Sequence, residues 1–346
     1  MKLLLITQTV DRDDTDLGFF HTWIKKIAGQ VDTLTVICLK KGDYDFPLNV
    51  NVLSLGKEEG TSRFVYLFRF YRYIFSERKH YDHVFVHMNP EYLILGGFFW
   101  RLSRKKVLLW YTHKAVNFKL RLAEKIATKI FTASKESFRL PSKKVEVLGH
   151  GIDVDLFSNI SDTRKNNSVR LMCVGRISLV KDLETVILGF HKVVEKHPER
   201  ALVLDIIGEP ITVADQEYKK VLEELIQRLN LSDKLRFIGG KKYHEMAKEY
   251  AASDILVHTS KTGSMDKVVL EALASGLRVI SSSEAYEGFD GLLERFPANN
   301  SGALFITLEK MLSADILTRN QKAVEFIESH FSLDRVLTRI VAYFDS

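Results

Sequence analysis

Two basic residues stand in the middle of the chain, within the segment VGRISLVKDLETVILGF (residues 174–190). Arg176 directly follows a predicted strand that ends at Gly175. Five residues later, Lys181 precedes a predicted helix that begins at Asp182. Cations between the carboxyl end of a strand and the amino end of a helix can clamp a diphosphate, because arginine donates paired hydrogen bonds and lysine adds a point charge. The alternative is a surface loop whose basic side chains point into water.

A second segment of interest lies about 80 residues later and reads SDILVHTSKTGSMDKVVLEALASGLRVISS (residues 253–282). It predicts a strand, a loop with glycine and serine, and a helix that carries Glu271. The first N–H groups of that helix carry partial positive charge, and Glu271 can accept hydrogen bonds from a ribose diol. By itself Glu271 fits a solvated or ion-paired helix residue better than a ligand. Together with the cationic segment, it favours a nucleotide site.

Strand and helix patterns alternate along most of the chain, which is typical of parallel sheets covered on both faces. We predict strands at residues 2–7, 33–39, 51–55, 83–88, 105–111, 129–133 and 145–149, and again at 169–175, 201–208, 234–239, 254–259 and 277–282. A polar segment at residues 158–168 separates the two series. The alternation therefore predicts an α/β protein with two Rossmann-like domains, at residues 1–158 and 168–330. Ligands bind beyond the carboxyl ends of parallel strands, so we expect the site to lie in a cleft between the two domains.

The composition restricts the class of protein. With 346 residues, 46% of them hydrophobic, the chain suits about two domains and is not mainly disordered. Its longest nearly uncharged apolar stretch, residues 92–100, is far below the ~20 residues of a membrane-spanning helix. The start, MKLLLIT, predicts a strand and not a signal peptide, so we expect a cytoplasmic protein. Cys38 and Cys173 lie in separate apolar runs and are expected to be buried thiols.

The charge is unevenly distributed. The net charge of +6 combines +10 in residues 1–150 with −4 in the remainder. Between Arg101 and Lys144, 13 basic residues face only Glu124 and Glu136. Such clustering predicts an anionic partner for the first half, either membrane phospholipid, a phosphorylated substrate or nucleic acid. The alternative is a solvated basic face without a specific partner.

Residues Thr61–His80 interleave arginines with aromatic residues. As a helix this segment is apolar nearly all round, with Arg69 and Arg72 on one stripe. It can rest on an anionic membrane surface, so that the protein is peripheral at the inner face of the membrane. The alternative, of equal weight, is a helix that covers a sheet and extends its arginines to solvent. A nucleic-acid partner is not expected, since no binding-module signature accompanies the basic residues.

Four segments in the second half carry a family resemblance. GRISLVKDLETVILGF, FIGG, ASDILVHTS and VVLEALASGLRVI, in this order and spacing, resemble the donor half of the family 4 (group 1) glycosyltransferases. EVLGHGIDVDLF, from Glu146 to Phe157, is similar to the segment at that family's domain junction. The resemblance covers residues 146–282. Over the first 145 residues it is architectural, with His113 the one residue carried over.

The resemblance implies a GT-B fold, in which two Rossmann-like domains with parallel sheets face a central cleft and a C-terminal helix, here about residues 331–346, returns to the first domain. It implies a retaining glycosyltransferase, independent of metals and cofactors, that moves a sugar from a nucleotide sugar to a glycan or lipid-linked acceptor, in surface polysaccharide or glycolipid synthesis. Its implied donor site uses Gly175, Arg176 and Lys181, the backbone amides of Val268 and Val269, and Glu271 on the ribose. His113 would contact the sugar near the reacting centre, the alternative being an ordinary loop histidine.

The chain departs from the family at Gly263, where relatives have a glutamate that contacts the donor sugar. We expect Asp266, three residues later, to replace it. The departure leaves open a non-catalytic relative that binds nucleotide or glycan, and a nucleotide-sugar epimerase of the same fold is a further alternative. On the acceptor side, His87, Asn89 and Glu91 follow a strand and are predicted to line the acceptor pocket.

Overall fold

A computed structural model of the chain describes residues 1–158, 163–164, 168–261, 263, 265–313 and 318–345. These residues divide into two compact units. The first joins Met1–Gly151 to the residues from Phe331 onwards, and the second is Ile152–His330. The predicted linker at residues 158–168 falls in the second unit, and most of it, residues 159–162 and 165–167, lies outside the described residues.

Two parallel sheets organise the described residues. Their strands are β1 (Lys2–Val10), β2 (Thr33–Lys41), β3 (Val50–Ser54), β4 (His83–His87), β5 (Val107–Trp110), β6 (Lys129–Thr132), β7 (Val145–Val147), β8 (Val169–Val174), β9 (Leu202–Ile207), β10 (Leu235–Gly239), β11 (Ile255–His258), β12 (Arg278–Ser281) and β13 (Glu294–Arg295). The first sheet has the order β3-β2-β1-β4-β5-β6-β7 and the second the order β10-β9-β8-β11-β12-β13. All twelve predicted strands are therefore confirmed as β1 to β12.

The described helices are α1 (Phe19–Ala28), α2 (Arg63–Ser76), α3 (Pro90–Leu102), α4 (Phe118–Ile126), α5 (Val154–Ser158), α6 (Leu183–Lys196), α7 (Val213–Arg228), α8 (Tyr243–Ala251), α9 (Lys267–Ala274), α10 (Ser301–Leu312), α11 (Gln321–Phe331) and α12 (Leu333–Asp345). Among the described residues, no helix has both the length and the apolarity that crossing a bilayer requires. Cys38 and Cys173 are buried free thiols, as predicted.

Both faces of the first sheet are covered because its strands are apolar on both sides. Leu3 and Leu5 of β1 pack in a cluster with α1 and α12, whereas Leu4 and Ile6 pack in the opposite cluster with α2, α3 and α4. This alternation follows from the two-residue period of side chains along a strand.

The C-terminal helix α12 completes the first unit. Its apolar residues recur at the three- and four-residue spacing of one helical face. Those that enter the core beside α1 are Leu333, Val336, Leu337, Ile340 and Phe344. Lys26 of α1 also donates to Asp334 at 2.9 Å. The expectation that the last helix returns to the first domain is confirmed.

A buried carboxylate ties three elements of the second unit together. Asp205 on β9 is fully buried. It accepts hydrogen bonds from Nε of Arg170 on β8 at 2.6 Å and from Nε of Arg236 on β10 at 2.7 Å. Arg170 also donates to Glu249 of α8 at 2.7 Å. The ion network therefore links three adjacent strands to one covering helix.

The order of the second sheet determines where a ligand can bind. Strand β8 lies between β9 and β11, so the chain direction across the sheet reverses at β8. In open parallel sheets such a switch point is where the loops at the carboxyl ends of adjacent strands separate and leave a crevice. The loops after β8 and β11 carry the two segments singled out in the sequence.

Candidate functional site

The loop after β8 depends on two glycines. Gly175 has φ +138° and Gly208, which follows β9, has φ +143°, a region that side chains disfavour. A Cβ atom at Gly208 would lie 2.0 Å from the carbonyl oxygen of Gly175. The two loops can therefore approach this closely only because position 208 lacks a side chain.

The two predicted diphosphate ligands stand in this loop. Arg176 is partly exposed, and its Nε lies 3.9 Å from Oδ2 of Asp215. Lys181 ends a short 3₁₀ turn, and its side chain is largely buried. The next residue, Asp182, is the N-cap of α6, one residue before the helix begins, and has a left-handed conformation with φ +48°. The sequence gives no signal for that conformation.

Lys181 is paired with a residue from the loop after β11. Its Nζ donates to Oδ2 of Asp266 at 2.5 Å. The same oxygen lies 2.9 Å from Nε2 of His258, the last residue of β11. Burial by itself raises the pKa of Asp266, but the His258 hydrogen bond and the Lys181 charge outweigh it, so this pKa lies well below its ordinary value. Asp266 is thus an ionised carboxylate between two donors.

Further bonds hold the two loops side by side. The amide of Lys261 donates to the carbonyl of Val180 at 2.9 Å, and the hydroxyl of Thr259 donates to the carbonyl of Lys181. Nζ of Lys261 lies 3.3 Å from Oδ1 of Asp182. A small cavity opens at this edge of the sheet, lined among others by Gly175, Lys181, His258 and Thr259.

Glu271 lies one turn into α9 and is buried, with 5% of its surface exposed. The hydroxyl of Tyr250 donates to its Oε2 at 3.0 Å. Burial raises the pKa of Glu271, while the Lys267 charge and the Tyr250 hydrogen bond oppose the rise. Burial also lowers the pKa of Lys267, against the attraction of Glu271. The interpretation of Glu271 as a solvated residue is wrong.

The first turn of α9 contains the other predicted donor ligands. Val268 and Val269 are its second and third residues, and the amide of Val269 donates to the carbonyl of Asp266 at 3.3 Å. The hydroxyl of Tyr286 donates to the same carbonyl at 2.7 Å. Gly263 has φ +65°, and its neighbours at positions 262 and 264 lie outside the described residues.

The structure thus brings Gly175, Arg176, Lys181, Asp266, Val268, Val269 and Glu271 to one edge of the second sheet. His113 belongs to the first unit, in the exposed loop between β5 and α4. Its Nδ1 accepts a hydrogen bond from the amide of Ala115 at 3.1 Å.

The three predicted acceptor residues follow β4, at the switch point of the first sheet. His87 is 2% exposed, with its ring stacked on Phe20 at 3.8 Å. Asn89 donates to the side chain of Gln8 at 2.8 Å. Glu91 accepts from Lys119 at 2.8 Å in an exposed ion pair. Asn89 and Glu91 therefore reach solvent, whereas His87 packs in the core.

Sequence reasoning missed three residues that interact with the predicted donor ligands: Tyr250 and His258 by hydrogen bonds, and Lys267 by its charge beside Glu271. His258 could have been found, because it ends a strand in the same way as His87. Tyr250 carries no such signal, since 21 residues separate it from Glu271 and the contact depends on the packing of α8 against α9. Among the described residues, no group of three or more His, Cys, Asp or Glu side chains could hold a metal ion.

Residues 158–307 match the family described as "Glycosyl transferases group 1". Mannosylfructose-phosphate synthase of Agrobacterium fabrum is 28% identical over 149 residues, 41% of this chain and 33% of that protein. D-inositol 3-phosphate glycosyltransferase of Corynebacterium urealyticum is 25% identical over 175 residues, 46% of this chain and 41% of that protein. The matches thus span less than half the length of these relatives.

Solved structures match over the whole chain. HepE of Anabaena, determined in complex with UDP, has a TM-score of 0.78 with 17% identity and covers 100% of both chains. WaaG, a glycosyltransferase involved in lipopolysaccharide biosynthesis, has a TM-score of 0.71 with 13% identity and covers 99% of both chains. At these identities the likeness concerns the fold. Together with the sequence matches, it shows the GT-B fold for this chain and a match to the group 1 glycosyl transferases over residues 158–307.

Proposed function

We propose that the protein is a retaining glycosyltransferase that moves a sugar from a nucleotide sugar to a glycan or lipid-linked acceptor, in the synthesis of surface polysaccharide or glycolipid. The observation that carries the proposal is the grouping of Arg176, Lys181 and the start of α9 at one switch point, within the domain that matches the family. The names of the curated relatives and the UDP bound to HepE support a nucleotide-sugar donor.

In this proposal the chain stabilises a leaving nucleoside diphosphate. Arg176 and Lys181 supply positive charge where negative charge grows as the sugar departs, which lowers the barrier most when those charges are already in position. The amides of Val268 and Val269 add donors from the first turn of α9, and Glu271 accepts from the ribose. His113 contacts the sugar.

No residue of the chain is proposed as a nucleophile, and no metal or cofactor is proposed. The acceptor attacks on the face from which the diphosphate leaves, assisted by one of its oxygens, and configuration is therefore retained. Asp266 is proposed to contact the sugar through Oδ1, because its Oδ2 is bonded to Lys181 and His258. Asn89 and Glu91 remain the proposed acceptor residues, whereas His87, which ends the same strand, packs in the core.

The test is a thermal-shift screen against UDP, GDP, ADP and dTDP and their sugars without added metal. A nucleotide present at 100 times its Kd stabilises the folded protein by about 2.7 kcal/mol. We expect one base to produce such a shift, and Lys181→Met and Glu271→Gln to abolish it. Glu309→Gln is the control, because Glu309 of α10 also accepts from a lysine and a histidine, Lys196 and His197.

Product analysis then separates the alternatives. Release of nucleoside diphosphate that depends on an added acceptor supports a transferase. Conversion of the donor without any acceptor would instead identify an epimerase. Binding without either reaction would identify a non-catalytic relative, the outcome that Gly263 motivates. No shift with any nucleotide would refute the donor site.

We further propose that the first unit binds an anionic membrane surface, which brings the enzyme to a lipid-linked acceptor. Helix α2 buries Phe70 and Ile74 but exposes Phe64 by 85% and Phe68 by 68%. Arg72 is exposed on the same helix. Exposed aromatic rings beside cations are the combination that binds the interface of an anionic bilayer.

The neighbouring helix α3 extends this surface. The rings of Phe75 on α2 and Phe99 on α3 are 4.9 Å apart, so the two helices are in contact. Phe98 and Leu102 on α3 are exposed as well. The basic residues between Arg101 and Lys144 follow directly in the chain.

Vesicle sedimentation tests this part of the proposal. The protein should sediment with vesicles of phosphatidylglycerol but not of phosphatidylcholine, and less at 0.5 M than at 0.1 M salt, because salt screens the attraction. Replacing Phe64 and Phe68 with serine should abolish sedimentation. Leu48→Ser is the matched control, since Leu48 is a fully exposed apolar residue elsewhere in the first unit. Equal binding to both vesicle types, or to neither, would refute the membrane surface.

A further inference from the structure

One carboxylate oxygen in the second unit serves two donors. Oδ2 of Asp266 accepts from Nζ of Lys181 at 2.5 Å and lies 2.9 Å from Nε2 of His258. The side chains of Lys181 and Asp266 are each about four-fifths buried, and that of His258 is almost completely buried. Lys181 and Asp266 come from the two loops at the switch point and His258 ends β11, so the cluster is formed by tertiary structure and not by sequence proximity.

The remaining nitrogen of His258 determines the orientation of its ring. Nδ1 lies 2.9 Å from Oγ of Ser281, which itself accepts from the amide of Ser283 at 3.2 Å. An ionised carboxylate has no hydrogen to donate, so Nε2 carries the hydrogen that is donated to Oδ2 of Asp266. His258 is held at both ends and fixes the place of the Asp266 carboxylate.

We propose that Asp266 is the counter-ion that positions Lys181, that His258 positions Asp266, and that this pair limits how tightly the site holds a diphosphate. The inference rests on the proposed function of Lys181. An ion pair has no net charge, so the attraction of Lys181 for a phosphate is offset by the repulsion from Asp266. Arg176 has a more distant acid, Asp215 at 3.9 Å, and keeps more of its own attraction.

Such a limit favours turnover over binding. Product release limits the turnover of many enzymes, so tighter binding of the product slows them. Asp266 reforms its bond with Lys181 when the nucleoside diphosphate leaves. We therefore infer that removing the charge of Asp266 strengthens the binding of the diphosphate and slows its release.

The experiment measures the Kd of inorganic pyrophosphate, a probe that is independent of the base, by isothermal titration. Asp266→Asn and Asp266→Ser both suit the N-cap position that Asp266 occupies at α9. Each should bind pyrophosphate about tenfold more tightly than the wild type. His258→Phe should change the Kd, whereas His258→Gln, which keeps a donor, should restore the wild-type value.

Glu309→Gln is the matched control. It removes a carboxylate that, like Asp266, is paired with a lysine and a histidine, but that lies 43 residues further along the chain. It should leave the Kd unchanged. Merely structural damage at position 266 would weaken binding, so tighter binding is specific to the counter-ion role. If the wild type binds pyrophosphate and both Asp266 variants bind it equally or more weakly, the inference is overturned. No binding by the wild type to pyrophosphate or to any nucleotide would overturn the proposed function, and this inference with it.

Discussion

Replacing Tyr250 with phenylalanine tests whether Glu271 is held as a buried carboxylate. The change removes a hydroxyl that donates to Oε2 of Glu271 at 3.0 Å and keeps the fully buried ring. A hydrogen bond to a charged group contributes about 1.5–3 kcal/mol, and the acceptor would lose a donor without gaining water. In a unit of about 180 residues, 1 kcal/mol shifts Tm by about 2–4 °C. We therefore expect Tm to fall by about 4–8 °C for a loss of about 2 kcal/mol.

Tyr286→Phe is the matched comparison. Tyr286 is equally buried, and its hydroxyl donates to an uncharged acceptor, the carbonyl of Asp266, at 2.7 Å. A bond of this kind contributes only about 1 kcal/mol, so Tm should fall by about 2–4 °C. Calorimetry of both variants measures the two losses in Tm and compares them. Equal losses, or a smaller loss for Tyr250→Phe, would show that Glu271 is not a charged acceptor and would refute the reasoning.

Three further outcomes follow from other features. Gly208→Ala should lower stability and weaken nucleotide binding, because its Cβ would lie 2.0 Å from the carbonyl of Gly175; thermal-shift titration checks both. Asp205→Ala should lower the free energy of unfolding, measured in urea, by about 3 kcal/mol, since it leaves two arginines without their buried partner. Cys38 and Cys173 should not react with a thiol reagent at pH 8, because burial raises the pKa of each to about 12. In the unfolded chain these thiols ionise near 9.0, so the stability they contribute is lost as the pH rises from 9 towards 12.

Each of these predictions has a control or an outcome that would contradict it. Gly288 also has a positive φ, +92°, but nothing lies within 4 Å of an added Cβ atom, so Gly288→Ala should leave nucleotide binding intact. A loss of less than 1 kcal/mol for Asp205→Ala would contradict the structural role of the ion network. The denatured protein should react with two equivalents of thiol reagent, and reaction of the native protein at the same rate would disprove burial.

The strands could be predicted because their apolar residues suffice to identify them. β1 reads LLLI, and both faces of such a strand must be covered, which is a property of parallel sheets. β13 was missed because it has only two residues, Glu294 and Arg295, and neither is apolar. Its existence depends on pairing with β12, which no local pattern encodes.

The places of the site's side chains on strands, loops and helices could be predicted, but the side chains that they contact could not. Arg176, Lys181 and Glu271 could be found from their places after strands and on a helix. The burial of Glu271 against Tyr250 could not, because the partner comes from another helix. His87 shows the same limit: its place after β4 suggested an acceptor residue, and stacking on Phe20 puts it in the core.

The return of α12 has a consequence for the order in which the chain folds. During synthesis, residues 1–151 emerge before the second unit, yet five apolar residues of their core belong to α12 and emerge after it. The second unit can complete its own core earlier, because all its residues precede α12. The groove beside β1 and α1 therefore stays uncovered until the ribosome has translated the whole second unit. A chain interrupted before Phe331 would expose that groove permanently, so partial products are expected to be targets for chaperones and proteases.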